Sequence, residues 1–401
     1  MLRRTFKAFH YRDFRVLWFG SCTSSVGTWM QIAAQSWLVL DISHKPFLLG
    51  LDAFLGQVPI VLFSLIGGVI ADRMERRRVL LGSQYVQMTC AFVLALLIAF
   101  NLVKVWHILT VSFIVGCAQS FGGPAYSALV PMLVEKEDLP NAIALNSIQF
   151  NLARVIGPML GGQAMVFLGA AWCFALNGIS FVAVIISLLA LGVRFVPENT
   201  SESILTGVKQ GIAFIRNQAA MVGLIALAFC MTALAIPMLS FLPVFAKDVF
   251  HLGPTTFTNM LSCSGAGSVT GALIVASMGN VRNKGRVALL TLLLLGCGIA
   301  GFSLSKSLVL SYALLFFSGA ALMGVFSMIS SLVQLITANE MRGRVMSVYN
   351  VAFRGGMPFG SLATGWLVGI YSAPHVLAAN GLLLVVLGGY FLLVQRRVAA
   401  L

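Results

Sequence analysis

Two arginines, Arg154 and Arg354, stand 200 positions apart inside long apolar runs, each four residues before a proline, Pro158 and Pro358. Each lies about ten residues from the nearest polar end of its run, or ~15 Å along a helix rising 1.5 Å per residue. An ionisable group at such depth in a bilayer needs a cavity or a partner. Asp52 is the one carboxylate clearly inside an apolar run, about five residues from its end. These three residues suit one kind of chemistry: the guanidinium groups would favour neutral or anionic amphiphiles, and Asp52 would carry a coupling proton. Two other uses stay open. Arg154 and Asp52 could neutralise each other, and either arginine could be satisfied by carbonyls at helix ends. Arg354, with no acid in any run near it in sequence, needs water, carbonyls or an anionic group on a substrate.

Uncharged polar residues form a second pattern. Ser21, Ser24, Ser25, Thr28, Gln31 and Gln35 recur at steps of three and four, which marks one face of a helix. Such a face either lines a cavity or binds helices together. Gln31 and Gln35 are the best candidates for substrate contact, followed by Gln119, Tyr126, Asn146, Gln149, Gln334 and Asn350. Catalytic clusters are not expected. The five histidines form no HxxxH or HExxH pair, no His/Asp/Glu group falls within an apolar run, and no GxxxxGK[ST] loop occurs. An enzyme, a metal site, a cofactor and a nucleotide-driven pump are all disfavoured.

The elements that position these residues follow from composition. Of 401 residues, 59% are hydrophobic and 9% charged, against about a quarter charged in a soluble domain. At roughly 20 apolar residues per crossing, the chain predicts an all-α polytopic membrane protein. Twelve helices are expected near 14–40, 47–71, 79–100, 106–133, 140–168, 172–193, 219–246, 255–279, 286–304, 308–337, 344–370 and 375–395. This excludes a soluble enzyme and a disulfide-built module. The seven cysteines all fall in apolar runs and read as packing residues. The net charge of +14 points to membrane orientation rather than nucleic acid. With the N-terminus inside, 20 Lys and Arg fall on the cytoplasmic side and four (Lys45, Lys104, Lys247, Lys306) opposite. That bias predicts both termini cytoplasmic. The polar, basic N-terminus is not expected to act as a cleavable signal.

The halves repeat. Ser127-Ala-Leu-Val130 matches Ser330-Ser-Leu-Val333 at an offset of 203, Glu137 matches Glu340, and Leu176-Asn-Gly178 matches Ala379-Asn-Gly381. Arg154 to Pro158 matches Arg354 to Pro358 at 200. The expected domains are a six-helix bundle over 1–193, a cytoplasmic linker over 194–218 and a second six-helix bundle over 219–401, a parallel duplication of the kind used by secondary transporters. Within the linker, Ile204, Leu205, Val208, Ile212 and Ile215 share a face, with Thr200 or Ser201 as the cap. An interfacial helix is favoured over a flexible tether.

The loop after the second helix reads Gly68-Val-Ile-Ala-Asp72-Arg73-Met-Glu75-Arg76-Arg77-Arg78. It resembles the GxxxDRxGRR loop of the major facilitator superfamily, with Glu75 in place of a glycine. The resemblance implies the major facilitator fold and a gate in which Asp72 latches onto the start of the eleventh helix near Gly343–Met346. The fifth helix carries Arg154-Val-Ile-Gly157-Pro158-Met-Leu-Gly161-Gly162, similar to the GPxxGG end of a motif of antiporters in that superfamily. These glycines would let the helix bend and approach the facing half, or simply kink. Phe14-Arg-Val-Leu-Trp18, Ser36-Trp-Leu-Val-Leu40 and Leu139-Pro-Asn141-Ala-Ile-Ala-Leu-Asn146 resemble the bacterial drug and siderophore exporter branch. The resemblance implies a monomer of the bacterial inner membrane that exports a small amphipathic molecule by alternating access, with proton antiport. An importer or lysophospholipid flippase of the same fold remains the alternative.

Overall fold

The computed structural model describes residues 6–192, 204–279 and 283–401, with side chains at 65, 69, 71–72 and 204–208 outside that description. Thirteen helices carry the described residues: α1 (Arg12–Ser43), α2 (Pro46–Arg73), α3 (Arg76–Ala99), α4 (Val105–Leu129), α5 (Leu139–Phe167), α6 (Ala170–Leu189), α7 (Ile204–Arg216), α8 (Ala219–Ala235), α9 (Pro254–Ser277), α10 (Lys284–Leu304), α11 (Leu308–Ile336), α12 (Arg342–Ile370) and α13 (Ala373–Leu393). No strand occurs among the described residues. In a bilayer this is forced, because a helix satisfies its own backbone N–H and C=O groups where no water can.

Nine helical segments among the described residues are long and apolar enough to cross a membrane. The three long helices outside that set are α1, α5 and α12, of 32, 29 and 29 residues. They have the length and lack only the uniform apolarity, since they carry the glutamines, asparagines and arginines singled out above. One predicted helix breaks early. The seventh, expected to 246, ends at Ala235 and continues as short turns over Pro237–Ser240 and Leu242–Val244 and a π-helical turn over Phe245–Val249. Pro237 and Pro243 each lack the N–H an uninterrupted helix needs.

Packing divides the chain into two compact units, Met1–Ser43 with Leu55–Ser201, and His44–Phe54 with Glu202–Leu401. In unit 1, α1 packs on α5 and α6, and α3 packs on α4 and α6. Gly67 of α2 meets the Ser120 backbone of α4. In unit 2, α8 packs on α12 and α13, α10 on α11 and α13, and α9 on α11. Each pairing in one unit has its counterpart seven helices on in the other. The first turns of α2 belong with unit 2: Gly50 lies against Ser361 and Gly365 of α12, and the Phe54 ring is 5.7 Å from Phe359.

Small residues make these pairings possible, as expected where lipid offers no hydrophobic drive between helices. A Cβ on Gly20 or Gly27 of α1 would run into Ser187 or Ser180 of α6. On Gly157 it would lie 2.5 Å from Trp29 Cβ, and on Gly161 3.1 Å from the Met30 carbonyl oxygen, both on α1. Gly157 and Gly161 therefore seat α5 on α1 of their own unit, a physical role different from the approach to the facing half inferred above. The α5 helix runs unbroken through Pro158.

The linker helix α7 packs on α12. A Cβ on Gly211 would lie 2.8 Å from the Arg344 carbonyl oxygen. Ile215 is buried beside it, whereas Lys209, Gln210, Ile212 and Arg216 are exposed. The proposed cap at Thr200 or Ser201 lies outside the described residues.

Gly319 of α11 and Gly68 of α2 give a controlled test of these close approaches. A Cβ on Gly319 would strike the Ser264 carbonyl of α9, while one on Gly68 has nothing within 4 Å. Gly319→Val is expected to cost about 1–3 kcal/mol through overpacking and to lower the thermal midpoint in detergent by several degrees. Gly68→Ala is expected to leave the midpoint unchanged or slightly raised.

Candidate functional site

The polar face of α1 is divided among three neighbours. Gln31 is buried, and its Oε1 accepts a 2.7 Å hydrogen bond from Asn177 Nδ2 of α6, whose Oδ1 accepts from Ser180 at 3.1 Å. Gln35 Nε2 donates to Ser112 Oγ of α4 at 2.9 Å. Ser25 Oγ accepts from Gln149 Nε2 of α5 at 2.9 Å. Of the two predicted contact residues, Gln31 thus binds α1 to α6, and Gln35 keeps a partly exposed side chain. Gln119 Nε2 donates to Gln87 Oε1 of α3 at 3.2 Å, and Tyr126 OH donates to Asn146 Oδ1 at 3.3 Å.

Arg154 is the focus of unit 1. It is 8% exposed and its guanidinium carbon lies 5.8 Å from the centroid of the Trp29 ring, within the range of a cation–π contact. Its Nε is buried with no hydrogen-bond partner, and so is Gln149 Oε1 one and a half turns earlier. Arg154 makes no ion pair within unit 1 among the described residues. Phe150 stands edge-on to Trp29 at 5.9 Å. A cation, an unfilled amide acceptor and two aromatic rings therefore converge on the α1–α5 seam. Such unpaired buried polar atoms are rare and point to water or a ligand. Trp29 went unrecognised in the sequence because an aromatic in an apolar run looks like any lipid-facing residue. Its one signal was its position inside the polar stripe, between Thr28 and Gln31.

The expected equivalence of the two arginines does not extend to burial. Arg354 on α12 is exposed, and so is Asn350. Next to it in sequence, Phe353 packs on Phe326 at 4.6 Å and on Tyr349 at 6.1 Å. Asp52 is 9% exposed and sits on the turn of α2 between Gly50 and Phe54.

The Asp72 side chain lies outside the described residues, so the latch assigned to it is not visible here. The arginines after it have clear roles. Arg76 donates to the Ala128 carbonyl at the end of α4 at 3.1 Å. Arg77 donates to the Leu189 and Leu191 carbonyls at the end of α6, at 2.8 and 3.2 Å. Each supplies positive charge and donors where a helix C-terminus leaves carbonyls unpaired. Arg73 is exposed. Glu75 is tolerated in the glycine position because its φ of −60° is open to any residue, and its carboxylate pairs with Arg78.

A clasp closes the same end of unit 1. Lys7 Nζ contacts Asp138 Oδ1 at 2.7 Å, Tyr11 OH donates to Asp138 Oδ2 at 2.9 Å, and Asn141 Oδ1 accepts from the Ala8 amide at 2.9 Å. The Lys7 hydrogen bond, opposed by partial desolvation and helped by Tyr11, holds the Asp138 carboxyl below its usual range. The same contact raises Lys7.

An all-helical, multi-pass chain with paired small-residue seams and a buried, lightly partnered arginine has the build of a membrane transporter of the major facilitator type. The chain belongs to the transmembrane secretion effector family of that superfamily, which residues 4–400 match. It is 26% identical over 366 residues to the enterobactin exporter EntS of Shigella boydii serotype 4, covering 88% of this chain and 84% of that one. It is 21% identical over 384 residues to macrolide efflux protein A of Streptococcus pyogenes, covering 93% of each. Solved structures of similar fold include a POT family transporter in complex with a thioalcohol-conjugated peptide (TM-score 0.78, 12% identity, 96% of each chain). The nucleoside transporter NupG is another (TM-score 0.73, 16% identity, 95% of this chain and 98% of that one).

The clasp has a defined pH dependence. Asp138 is depressed on folding, so its contribution is present above the ordinary carboxylate range and lost as pH falls through the folded value. Lys7 is raised, so its contribution is present below the ordinary lysine range and lost as pH rises through the folded value. Asp138→Asn is expected to speed proteolysis of the N-terminal segment at neutral pH. In the parent protein the same acceleration is expected only in acid or strong alkali.

Proposed function

We propose that the chain is a secondary exporter of a small amphipathic molecule (a drug, macrolide or siderophore), working by alternating access and driven by proton antiport. The observation that carries this reading is the Arg154–Trp29 pair with its unfilled neighbours, Arg154 Nε and Gln149 Oε1. A planar or apolar body could lie against Trp29 while a carbonyl or anionic oxygen takes Arg154 and a donor takes Gln149. The relatives' printed functions, enterobactin export and macrolide efflux, support the same ligand class.

In this reading α1–α6 and α8–α13 are twelve membrane crossings in two six-helix bundles, 1–193 and 219–401, joined by the linker 194–218. The nine apolar segments together with long, polar-faced α1, α5 and α12 support the count. The seven-helix offset of the pairings supports the duplication. The distribution of Lys and Arg supports an inner-membrane protein with both termini in the cytoplasm. Gln35, Gln119, Tyr126, Asn146, Asn350 and Arg354 are assigned to the substrate path and Asp52 to the proton. The protein works as a monomer with lipid as its surroundings.

The test is flux in everted membrane vesicles under an imposed pH gradient, with a panel of macrolides, catecholate siderophores and dyes. Uptake into everted vesicles corresponds to export and is expected for at least one compound; flux only in the opposite sense would make the protein an importer. Arg154→Gln is expected to lower that uptake about tenfold or more, because it removes both the cation–π contact and a charged donor, with Arg154→Lys intermediate. Asp52→Asn is expected to abolish the response to the pH gradient while sparing downhill exchange. Full pH-driven uptake by Asp52→Asn would remove Asp52 from coupling.

A further inference from the structure

Unit 2 contains an open surface pocket of about 460 Å³ between the end of α11 and the start of α12. Its polar wall is one helix face, Ser327, Ser330, Ser331 and Gln334, at spacings of three, one and three residues along α11. Arg342, at the first position of α12, closes the polar side, and Phe326 and Leu335 supply apolar wall. No carboxylate is among the described lining residues. The Arg342 side chain is exposed and makes no hydrogen bond or ion pair among the described residues. Gln334 Nε2 donates to Ser330 Oγ at 3.4 Å.

The repeat shows that this polarity is not a requirement of the fold. At the 203-residue offset, Ser327, Ser331, Gln334 and Arg342 correspond to Pro124, Ala128, Pro131 and Leu139, and only Ser330 keeps its type as Ser127. The first copy builds the corresponding helix end with one of the three hydroxyls and without the amide or the cation. Three hydroxyls and a guanidinium, with no acid among the described lining residues, form a donor set matched to an oxyanion, for which arginine is the preferred charged partner.

We propose that this pocket binds the oxyanion end, carboxylate, sulfonate or phosphate, of an amphipathic small molecule. Arg342 provides the countercharge, the α11 hydroxyls the further donors, and Phe326 and Leu335 the surface for the apolar body. The volume suits a ligand of one or two rings. The site is built from residues of unit 2, and it rests on the exporter reading only for the fate of the ligand, since binding is measured without transport.

Saturation-transfer NMR on the full chain in zwitterionic nanodiscs reads binding directly, with naphthalenesulfonate as the probe and neutral naphthalenesulfonamide as its control. The sulfonate is expected to bind the parent protein. Its affinity should fall about tenfold or more in Arg342→Gln, the size of loss expected for a charge-assisted hydrogen bond. Arg342→Lys should retain part of it, and the Ser327→Ala/Ser331→Ala pair should lose part of it at unchanged thermal midpoint. The sulfonamide should bind weakly and equally to all variants. Displacement by inorganic phosphate would indicate a soluble oxyanion as the natural ligand, and displacement only on adding phosphatidylglycerol to the nanodiscs would indicate a lipid headgroup. Equal sulfonate affinity in parent and Arg342→Gln, or no difference between sulfonate and sulfonamide, would overturn the proposal. If sulfonate binding depends on Arg342 but no compound is transported in vesicles, the exporter reading fails and this site stands. If dyes are transported but sulfonate does not bind, the reverse holds.

Discussion

The structure depends on how closely α1 approaches two other helices. Where lipid replaces water, apolar side chains gain little by leaving lipid for another helix, so cohesion comes from close packing and from polar groups that find each other. Gly20 and Gly27 let α6 in on one side of α1, and Gly157 and Gly161 let α1 in against α5 on the other. The short Gln31–Asn177 hydrogen bond then joins α1 to α6 at a buried point where neither amide has water to return to. Enlarging one of these glycines would both separate the backbones and strand the amides. Stability and the geometry of the Arg154 seam are therefore set by the same contacts.

Against this tightly paired background, the few unpaired polar atoms carry information. Most hydroxyls along the helices bond the carbonyl three or four residues back, as Thr23, Ser36, Ser43 and Ser147 do, so they cost the membrane interior little. A guanidinium cannot be quieted that way. Arg154 is sheltered by Trp29 but retains an unfilled donor, and it lies beside an unfilled acceptor on Gln149. The arginines beyond the second helix behave in the opposite manner. Arg76 and Arg77 are occupied with the last carbonyls of α4 and α6, which makes them mechanical ties between helix ends rather than recognition groups.

Duplication constrains the two units unequally. The helix pairings of one unit recur seven helices on in the other. Side chains that do not serve a seam are free to diverge. Arg154 is buried and Arg354 exposed; Ser331, Gln334 and Arg342 stand where the first copy has Ala128, Pro131 and Leu139.

Much was legible in the chain alone. Apolar runs long enough to cross a bilayer, punctuated by charge, give helices and little else, and the family follows from the loop after the second helix and the Arg154–Gly162 stretch. The early end of the seventh helix was missed, although Pro237 and Pro243 carry its cause. Helical periodicity also disclosed that α1 has a polar face, since that is a property of spacing along one helix. Which neighbour each polar group meets is a different kind of fact. Gln31 finds Asn177 and Arg154 finds Trp29 across 146 and 125 positions of sequence, and no local pattern encodes such a pairing. Packing alone decided that Gln31 is glue, that Gly157 faces its own unit, and that the pocket of unit 2 gathers α11 hydroxyls with Arg342, because each outcome depends on the angle and depth at which separate helices meet.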